Sequence, residues 1–205
     1  MAERFEAEYL SGTPPWDIGR PQPAIARLAE ANSVRGRVLD VGCGTGENAL
    51  YLASRGFDVT GVDISPEAIR RATAKSAERG IPVHFEVADV LDLTGRAEAF
   101  DTAVDSGVFH VFDDQSRPRY ARSVGGVLRT GGRLFIFCFS DLQPGDWGPR
   151  RVTQAEIRST FAEGWTVDKI EPATFDTLVD GGLLVAAWLA SLTRTPGLGR
   201  SPMPR

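Results

Sequence analysis

The sequence has few features that would connect it to a metal or a membrane. Its two cysteines, Cys43 and Cys138, lie in separate apolar segments and match no metal-ligand spacing. We therefore predict no metal site and a reducing, cytoplasmic environment. The longest apolar run, residues 183–190, is far shorter than the about 20 residues that cross a bilayer. The first residues are acidic where a signal peptide would be basic, so we expect no membrane partner.

An excess of positive charge is also missing. The formal net charge is -4, and the basic residues are scattered along the chain. A nucleic-acid partner requires a clustered basic surface, so we expect none. Hydrophobic residues at 42% and charged residues at 24% are typical of a globular protein. We predict a single domain over residues 1–205, in which 1–32 form an arm and helix that cover the site, 33–194 the core and 195–205 a loose tail.

What the sequence does contain is an alternation of short apolar runs with helical segments. The first five runs predict buried strands that end at glycine or polar residues, and the segments between them begin and end with helix-capping residues. The predicted strands are residues 37–41, 57–62, 83–87, 102–105 and 133–139, and the predicted helices are residues 24–31, 47–55, 65–79 and 115–128. This alternation indicates an α/β fold with a parallel, doubly wound, Rossmann-like sheet.

The C-terminal part has a different pattern. A helix over residues 153–161 is predicted from Thr153 and Glu156, which form a capping-box pattern. Two strands follow over 165–175 and 183–192, and their connection is too short for a helical crossover, so they should be antiparallel. We therefore predict a sheet of about seven strands, mostly parallel, with a C-terminal antiparallel hairpin. Residues 11–23, rich in turn formers, should be irregular.

The strongest chemical signal is the glycine-rich turn in the segment Val38-Leu-Asp-Val-Gly-Cys-Gly-Thr-Gly, between the first strand and its helix. Its glycines allow a ligand to approach the backbone, and the helix N-terminus offers free amides. Asp40 would repel a pyrophosphate and suits a cation. Glu47 stands where the dinucleotide fingerprint needs glycine or alanine. The turn therefore predicts a nucleoside that carries an amino acid and a positive charge.

Two further carboxylates follow neighbouring strands. Asp63 ends the second strand roughly 20 residues beyond the first glycine, where an acid can accept both ribose hydroxyls. Asp89 closes the third strand, where it can accept from the exocyclic amine of adenine. The alternatives are a helix cap for Asp63 and an ordinary turn aspartate for Asp89.

These segments, together with Phe100-Asp-Thr-Ala-Val-Asp105, resemble the Rossmann-like S-adenosylmethionine-dependent methyltransferases over nearly the whole chain. The run Pro14-Pro-Trp16-Asp-Ile-Gly-Arg-Pro-Gln-Pro23 is similar to the small-molecule branch that contains thiopurine, thiol/halide and tellurite-resistance methyltransferases. The resemblance implies S-adenosylmethionine as cofactor, S-adenosylhomocysteine as product and a small molecule as methyl acceptor.

The resemblance also implies a set of cofactor-binding residues. Trp16 would lie over the cofactor, because an indole face attracts a sulfonium cation; the alternative is a hydrophobic anchor for the arm. The remaining residues would contact the methionine, ribose and adenine parts, and the full set is Trp16, Asp40, Gly42, Gly44, Asp63, Ile64, Asp89, Val90, Asp105 and Ser106.

The acceptor side carries fewer signals. His110 is the candidate general base, because it follows the fourth strand and histidine titrates near neutral pH. The alternative is a hydrogen-bonded histidine at the edge of an aromatic cluster. An aromatic pocket with one cation is predicted from Phe109, Phe112, Phe139, Trp147 and Arg150. Residues 140–151 form a long connection of the kind that covers an active site.

Three other functions remain open at this point. A nicotinamide-dependent oxidoreductase would share the fold, although Glu47 and the antiparallel hairpin count against it. A non-catalytic module that binds the cofactor is the second. A nucleic-acid methyltransferase is disfavoured by the acidity of the chain. We expect a monomer or homodimer that methylates a thiol, a hydroxyl or a ring heteroatom of an aromatic heterocycle, with a role in detoxification or secondary metabolism. The sequence leaves open whether sulfur, oxygen, nitrogen or a halide is methylated.

Overall fold

The computed structural model describes residues 2–93, 95 and 99–196. Within this part of the chain, seven strands form one sheet. The strands are β1 (Arg37–Val41), β2 (Asp58–Asp63), β3 (His84–Val87), β4 (Phe100–Ser106), β5 (Leu128–Phe139), β6 (Trp165–Asp176) and β7 (Leu184–Arg194). The helices are α1 (Ala2–Ser11), α2 (Pro23–Glu30), α3 (Glu47–Ser54), α4 (Pro66–Arg79), α5 (Ser116–Val127) and α6 (Gln154–Thr160).

The strand order is β3-β2-β1-β4-β5-β7-β6. The first five strands are parallel, whereas β7 runs antiparallel to both β5 and β6. The predicted fold class, a mostly parallel Rossmann-like sheet with a C-terminal antiparallel hairpin, is confirmed. The chain leaves β1 toward β2 on one side and returns to β4 on the other, so a crevice opens where these strands end. This crevice is where ligands bind in such sheets.

Both faces of the sheet are covered, which explains why its strands are continuous apolar runs. Strand β5 illustrates this arrangement, because alternate side chains point to opposite faces. Leu134, Ile136 and Cys138 belong to one hydrophobic cluster, and Phe135, Phe137 and Phe139 belong to the other.

The predicted helix near residue 153 is present with its capping box. The Thr153 hydroxyl accepts a hydrogen bond from the Glu156 amide at 3.1 Å, and the Thr153 amide donates to the Glu156 carboxylate at 2.7 Å. Among the described residues, none of the helices has the length and apolar character needed to cross a membrane.

The structure differs from the sequence prediction at the N-terminal end. Residues 2–11 form helix α1, which was not predicted, because it is held by contacts with α4: Glu6 binds the N-terminus of α4, and Arg71 binds the last carbonyls of α1. The predicted loose tail begins at Thr195, whose amide donates to the Gly164 carbonyl at 3.0 Å. The rest of that tail, from residue 197, lies outside the described residues.

Strand β5 also starts earlier than predicted. Leu128 pairs with Phe100, and the register then shifts so that Arg133 pairs with Thr102. Gly131 lies in this irregularity with φ +78°. The sequence prediction left residues 129–132 between helix and strand, whereas in the structure they form a bulge within the strand.

Replacing Phe161 by alanine should destabilise the fold strongly. This side chain is 1% exposed and packs against Phe109 at 5.7 Å and Trp165 at 5.4 Å between ring centroids. Truncating such a residue leaves a cavity and costs about 3–5 kcal/mol, measurable by denaturant unfolding. The exposed Leu142→Ala serves as control and should change the unfolding free energy by less than about 0.5 kcal/mol. Equal effects of the two variants would contradict this packing.

Candidate active site

A cavity of about 810 Å³ lies where the parallel strands end. Its volume falls in the upper part of the roughly 300–1,000 Å³ range of ligand sites. It is lined by the glycine turn (residues 42–46), helix α1, residues 12–22, which we call the arm, and residues 140–151, which we call the cover loop. The far wall comes from β5 and from the β6–β7 hairpin. The cavity therefore combines the turn that the sequence predicts to bind a nucleoside with a second, aromatic region.

The glycine turn is tightly enclosed. Gly42 and Gly44 adopt φ +64° and +54°, which side chains disfavour. A Cβ on Gly42 would lie 2.1 Å from the side chain of Val108, and one on Gly44 would lie 2.8 Å from the Tyr9 hydroxyl. The backbone of this turn is therefore the surface offered to a ligand, and both positions require glycine.

Asp63 ties the glycine turn to the next strand. One of its carboxylate oxygens accepts from the Gly44 amide at 2.8 Å, and the other accepts from the Ser65 amide at 2.9 Å. A carboxylate offers about four acceptor positions, so two remain for hydroxyl groups of a ligand. Asp63 lines the cavity, and burial raises its pKa.

Asp40 is a buried carboxylate without compensation. Its side chain is 1% exposed, and neither oxygen has a hydrogen-bond partner among the described residues. Burial, together with the negative charges of Asp105 and Asp63, raises the pKa of Asp40 to about 7, although the backbone of Ala49 acts in the opposite direction. It lies behind the glycine turn and does not itself line the cavity. A positively charged group bound at the turn would relieve this charge, so the residues present fit an amino-acid-bearing cationic nucleoside.

The prediction that Asp105 faces the ligand needs correction. Asp105 is fully buried and does not line the cavity. Its carboxylate accepts from the Tyr120 hydroxyl at 2.6 Å and from the amides of Val108 and Phe109 at 2.8 and 3.1 Å. Burial raises its pKa to about 6. Asp105 therefore holds the turn after β4, and its neighbour Ser106 lines the cavity.

The predicted adenine residues lie together. Ile64, Asp89 and Val90 all line the cavity, on the side of β2 and β3. One oxygen of Asp89 accepts from the Leu91 amide at 2.9 Å, which is the turn interaction considered as its alternative. The second oxygen does not take part in that bond. Asp89 thus stabilises a turn and still offers an acceptor at the cavity wall.

Trp16 lines the cavity and also anchors the arm. Its indole N–H donates to the Tyr9 hydroxyl at 3.0 Å, and its ring meets Phe5 edge-on at 5.9 Å. Tyr9 and Phe5 were not predicted as site residues, although both line the cavity. They are four residues apart on α1 and so lie on one face of that helix. This spacing was the available signal, but it had no meaning until α1 was known to be a helix.

His110 lines the cavity, but its contacts favour the alternative to a general base, a hydrogen-bonded histidine at the edge of an aromatic cluster. Its Nδ1 accepts a hydrogen bond from the Phe139 amide at 3.0 Å, so the neutral ring carries its proton on Nε2. Burial, and then the charges of Arg151 and Arg117, lower its pKa to about 3. The reason lies in the sheet, because β5 extends beyond the end of β4, where Ser106 pairs with Phe137. The Phe139 amide therefore has no partner on β4, and the imidazole accepts its hydrogen bond instead.

The structure separates the predicted aromatic residues. Phe112 and Trp147 line the cavity, but Phe109 does not and packs in the core against Phe161 and below Arg117. Phe109 and His110 are consecutive in a tight 3-10 turn, so their side chains point in different directions. The assignment of Phe109 to the pocket is therefore corrected.

The cation behind the aromatic region is Arg151. Arg150 lines the cavity, but its guanidinium pairs with Asp114 at 2.7 Å and with Glu156. Arg151 lies 5.5 Å from the ring centre of Phe139 and 5.4 Å from that of Trp147, and it donates to the Pro149 carbonyl at 2.8 Å. It therefore orders the cover loop.

Phe175, on the hairpin, completes the region. Its ring stacks on Phe137 at 4.6 Å and lies 5.4 Å from Phe139. We call Phe139, Trp147 and Phe175 the aromatic wall. Sequence reasoning missed the part played by Phe175, because its position depends on how β6 pairs with β7.

Replacing Asp40 by asparagine should stabilise the ligand-free protein at alkaline pH. The pKa of about 7 in the folded state lies above the unfolded value of about 3.9, so the folded protein loses stability as pH rises from about 4 to 7. Asparagine does not titrate. We expect similar melting temperatures for Asp40→Asn and wild type at pH 4, and a variant that melts at least about 5 °C higher at pH 8.

The control is Asp58→Asn, which removes an exposed carboxylate at the start of β2 and should change neither value by more than a degree or two. A lower melting temperature for Asp40→Asn at pH 8 would show that Asp40 has a stabilising partner.

Comparisons with known proteins agree with this geometry. Residues 38–132 match a family model described as a methyltransferase domain. The chain is 40% identical over 196 residues to the 2-heptyl-1-hydroxyquinolin-4(1H)-one methyltransferase of Mycobacteroides abscessus, and the match covers 89% of this chain and 86% of that protein.

Two solved structures extend the likeness to the fold. One, from work on the conversion of a disulfide bond into a thioacetal group during echinomycin biosynthesis, has a TM-score of 0.89 at 39% identity and covers 95% of this chain and 93% of its own. The other is Burkholderia thailandensis 1,6-didemethyltoxoflavin-N1-methyltransferase with bound 1,6-didemethyltoxoflavin and S-adenosylhomocysteine. It has a TM-score of 0.74 at 25% identity and covers 95% of this chain and 87% of its own.

Proposed function

The chain belongs to the class I S-adenosylmethionine-dependent methyltransferases that act on small molecules, and from this premise we propose that its acceptor is a flat aromatic heterocycle with an acidic hydroxyl or thiol group. The observation that carries the proposal is the aromatic wall with Arg151 behind it, next to the turn that follows β4. Family membership decides against a nicotinamide-dependent oxidoreductase.

We assign the cofactor half of the cavity as follows. Asp63 accepts hydrogen bonds from the ribose hydroxyls. Ile64 and Val90 pack on the adenine ring, and Asp89 accepts a hydrogen bond from the adenine amine. The methionine part lies at Gly42, Gly44 and Ser106, with the charge of Asp40 behind it and Trp16 above it. Bound S-adenosylmethionine supplies an electrophilic methyl group on a positively charged sulfur.

The aromatic wall favours a planar acceptor. Aromatic rings pack on one another in stacked or edge-on arrangements, and Phe139, Trp147 and Phe175 present such surfaces from three separate elements. The guanidinium of Arg151 lies over two of these rings and makes the wall electropositive, which suits an acceptor that carries a negative charge. The names of the relatives include a hydroxyquinolinone and a didemethyltoxoflavin, which are planar heterocycles.

The chain's contribution to the chemistry is positioning and exclusion of water. His110 keeps its proton on Nε2 and takes none from the acceptor, so the acceptor must arrive ionised. A thiol with a pKa of about 8.5, or a more acidic hydroxyl, can lose its proton before it binds. Aligning two bound reactants and removing water from an anionic nucleophile then supply the acceleration.

Several finer points are part of the same proposal. We place the whole chain in one catalytic domain and propose a monomer or homodimer in the cytoplasm, with no nucleic-acid or membrane partner, as the acidic composition supports. Methylation of an acidic heterocycle removes its charge and masks its reactive atom, and this supports a role in detoxification. We propose oxygen or sulfur as the accepting atom because an acidic hydroxyl or thiol can ionise without a base from the protein.

The cofactor site is tested first by calorimetry. We expect micromolar binding of S-adenosylmethionine and S-adenosylhomocysteine to wild type and at least about 10-fold weaker binding to Asp63→Ala, because its carboxylate contributes hydrogen bonds worth about 1–3 kcal/mol. Asp58→Ala, at the other end of β2, should bind like wild type. Equal binding by both variants would show that Asp63 does not contact the cofactor. Binding of NADH but of neither S-adenosyl compound would contradict the assignment of the cofactor.

The acceptor is tested by mass spectrometry of methylated products and by pH profiles. We expect product from 2-heptyl-1-hydroxyquinolin-4(1H)-one and from aromatic thiols, with the rise of kcat/KM occurring at the pKa of each acceptor. His110→Asn, whose side-chain oxygen can still accept from the Phe139 amide, should keep these midpoints. A midpoint shared by all acceptors and abolished in His110→Asn would restore histidine as the base.

A further inference from the structure

The arm contacts both halves of the cavity. On the cofactor side, the Asp17 carboxylate accepts from the Thr45 hydroxyl of the glycine turn at 2.8 Å. On the acceptor side, the Pro15 carbonyl accepts from the Leu178 amide of the β6–β7 hairpin at 2.8 Å. A single short segment therefore connects the turn that holds the cofactor with the hairpin that carries part of the aromatic wall.

A second pair of hydrogen bonds fixes the end of the arm. The Gln22 side chain donates to the Asp176 carbonyl at 2.9 Å and accepts from the Asp176 amide at 3.0 Å. Gln22 is 4% exposed, so both bonds are shielded from water. Arg20 adds an ion pair with the Asp176 carboxylate. The hairpin next to Phe175 is thus bonded to the arm through its backbone.

On the cofactor side the contact is supported by charge. Thr45 is 4% exposed, and its hydroxyl has one proton, which it gives to Asp17. The same oxygen accepts from Lys75 at 2.7 Å, and Lys75 also donates to Glu47 at 2.7 Å. Arg79 forms a bidentate pair with Glu47. The bond between arm and glycine turn is therefore part of a partly buried network in which positive and negative groups balance.

We propose that Asp17 and Thr45 are positioning residues that make assembly of the acceptor site depend on the cofactor. A ligand on the glycine turn restricts Thr45, Thr45 holds Asp17, and the arm then holds the hairpin at Leu178 and Asp176. Since Pro15, Ile18 and Gln22 line the same cavity as Phe175, this order builds the acceptor site after the cofactor binds. The inference rests on the proposed cofactor site and goes beyond it.

The coupling must be reciprocal, because two ligands that favour the same closed arrangement strengthen each other's binding by the same factor. Typical coupling between sites is about 5–150-fold. The amides of Asp176 and Leu178 report on it directly, since each is bonded to the arm. The amides of Thr177 and Gly182 are bonded within the hairpin and serve as internal controls.

The experiment is amide hydrogen exchange by NMR, with and without S-adenosylhomocysteine, on wild type, Asp17→Ala and Thr45→Val. In wild type the ligand should slow exchange of Asp176 and Leu178 by at least about 5-fold. In both variants this effect should fall below about 2-fold, while calorimetry still detects binding of S-adenosylhomocysteine. The control Thr13→Val, an exposed position on the arm, should behave like wild type.

The outcomes separate the two ideas. Slowing of Asp176 and Leu178 to the same extent in wild type and Asp17→Ala, with the ligand bound, would overturn the coupling and leave the proposed function intact. Equal slowing of Thr177 and Gly182 in wild type would show general stiffening and would also overturn it. Failure of wild type to bind S-adenosylhomocysteine would overturn the proposed function, and the coupling with it.

Discussion

The two hydrogen bonds accepted by Asp63 fix the geometry on which the rest of the site depends. They join the amide of Gly44, in the turn after β1, to that of Ser65, in the turn after β2. With these two turns locked together, the strand ends present a constant surface, and the carboxylate between them keeps acceptor positions free. Both coverings of the cavity are attached to these two turns. The arm is bonded to Thr45, and helix α1 is bonded to Ser65. Cofactor binding and the covering of the cavity therefore share one support.

The same unit carries a cost in stability. Asp40, Asp63 and Asp105 are buried at or near the ends of adjacent strands, and burial raises the pKa of each. Asp63 and Asp105 have hydrogen-bond donors, but Asp40 has none among the described residues. A core built on both faces of the sheet is large enough to tolerate such a charge. Functional sites commonly contain groups that lower the stability of the folded state, and the unpaired carboxylate of Asp40 is such a group.

The parts that could be predicted from sequence are those encoded by neighbouring residues. The glycine turn and the capping box at Thr153 depend on short patterns, and so does the antiparallel hairpin, whose connection is too short for any alternative. The roles of His110, Phe109 and Arg151 depend on how far β5 extends beyond β4 and on which way a 3-10 turn faces. Helix α1, with Tyr9, is held by α4. No local pattern contains such long-range information, and these are the features that had to be corrected or added.

The aromatic wall has a consequence for how this enzyme can change over time. Phe139, Trp147 and Phe175 come from a strand end, a loop and a hairpin in the last third of the chain, whereas Asp63 and the glycine turn come from the first third. Substitutions in the later segments alter the shape offered to the acceptor without touching the residues assigned to the nucleoside. Selection can therefore diversify acceptor preference on an inherited cofactor site through changes in the last third of the chain.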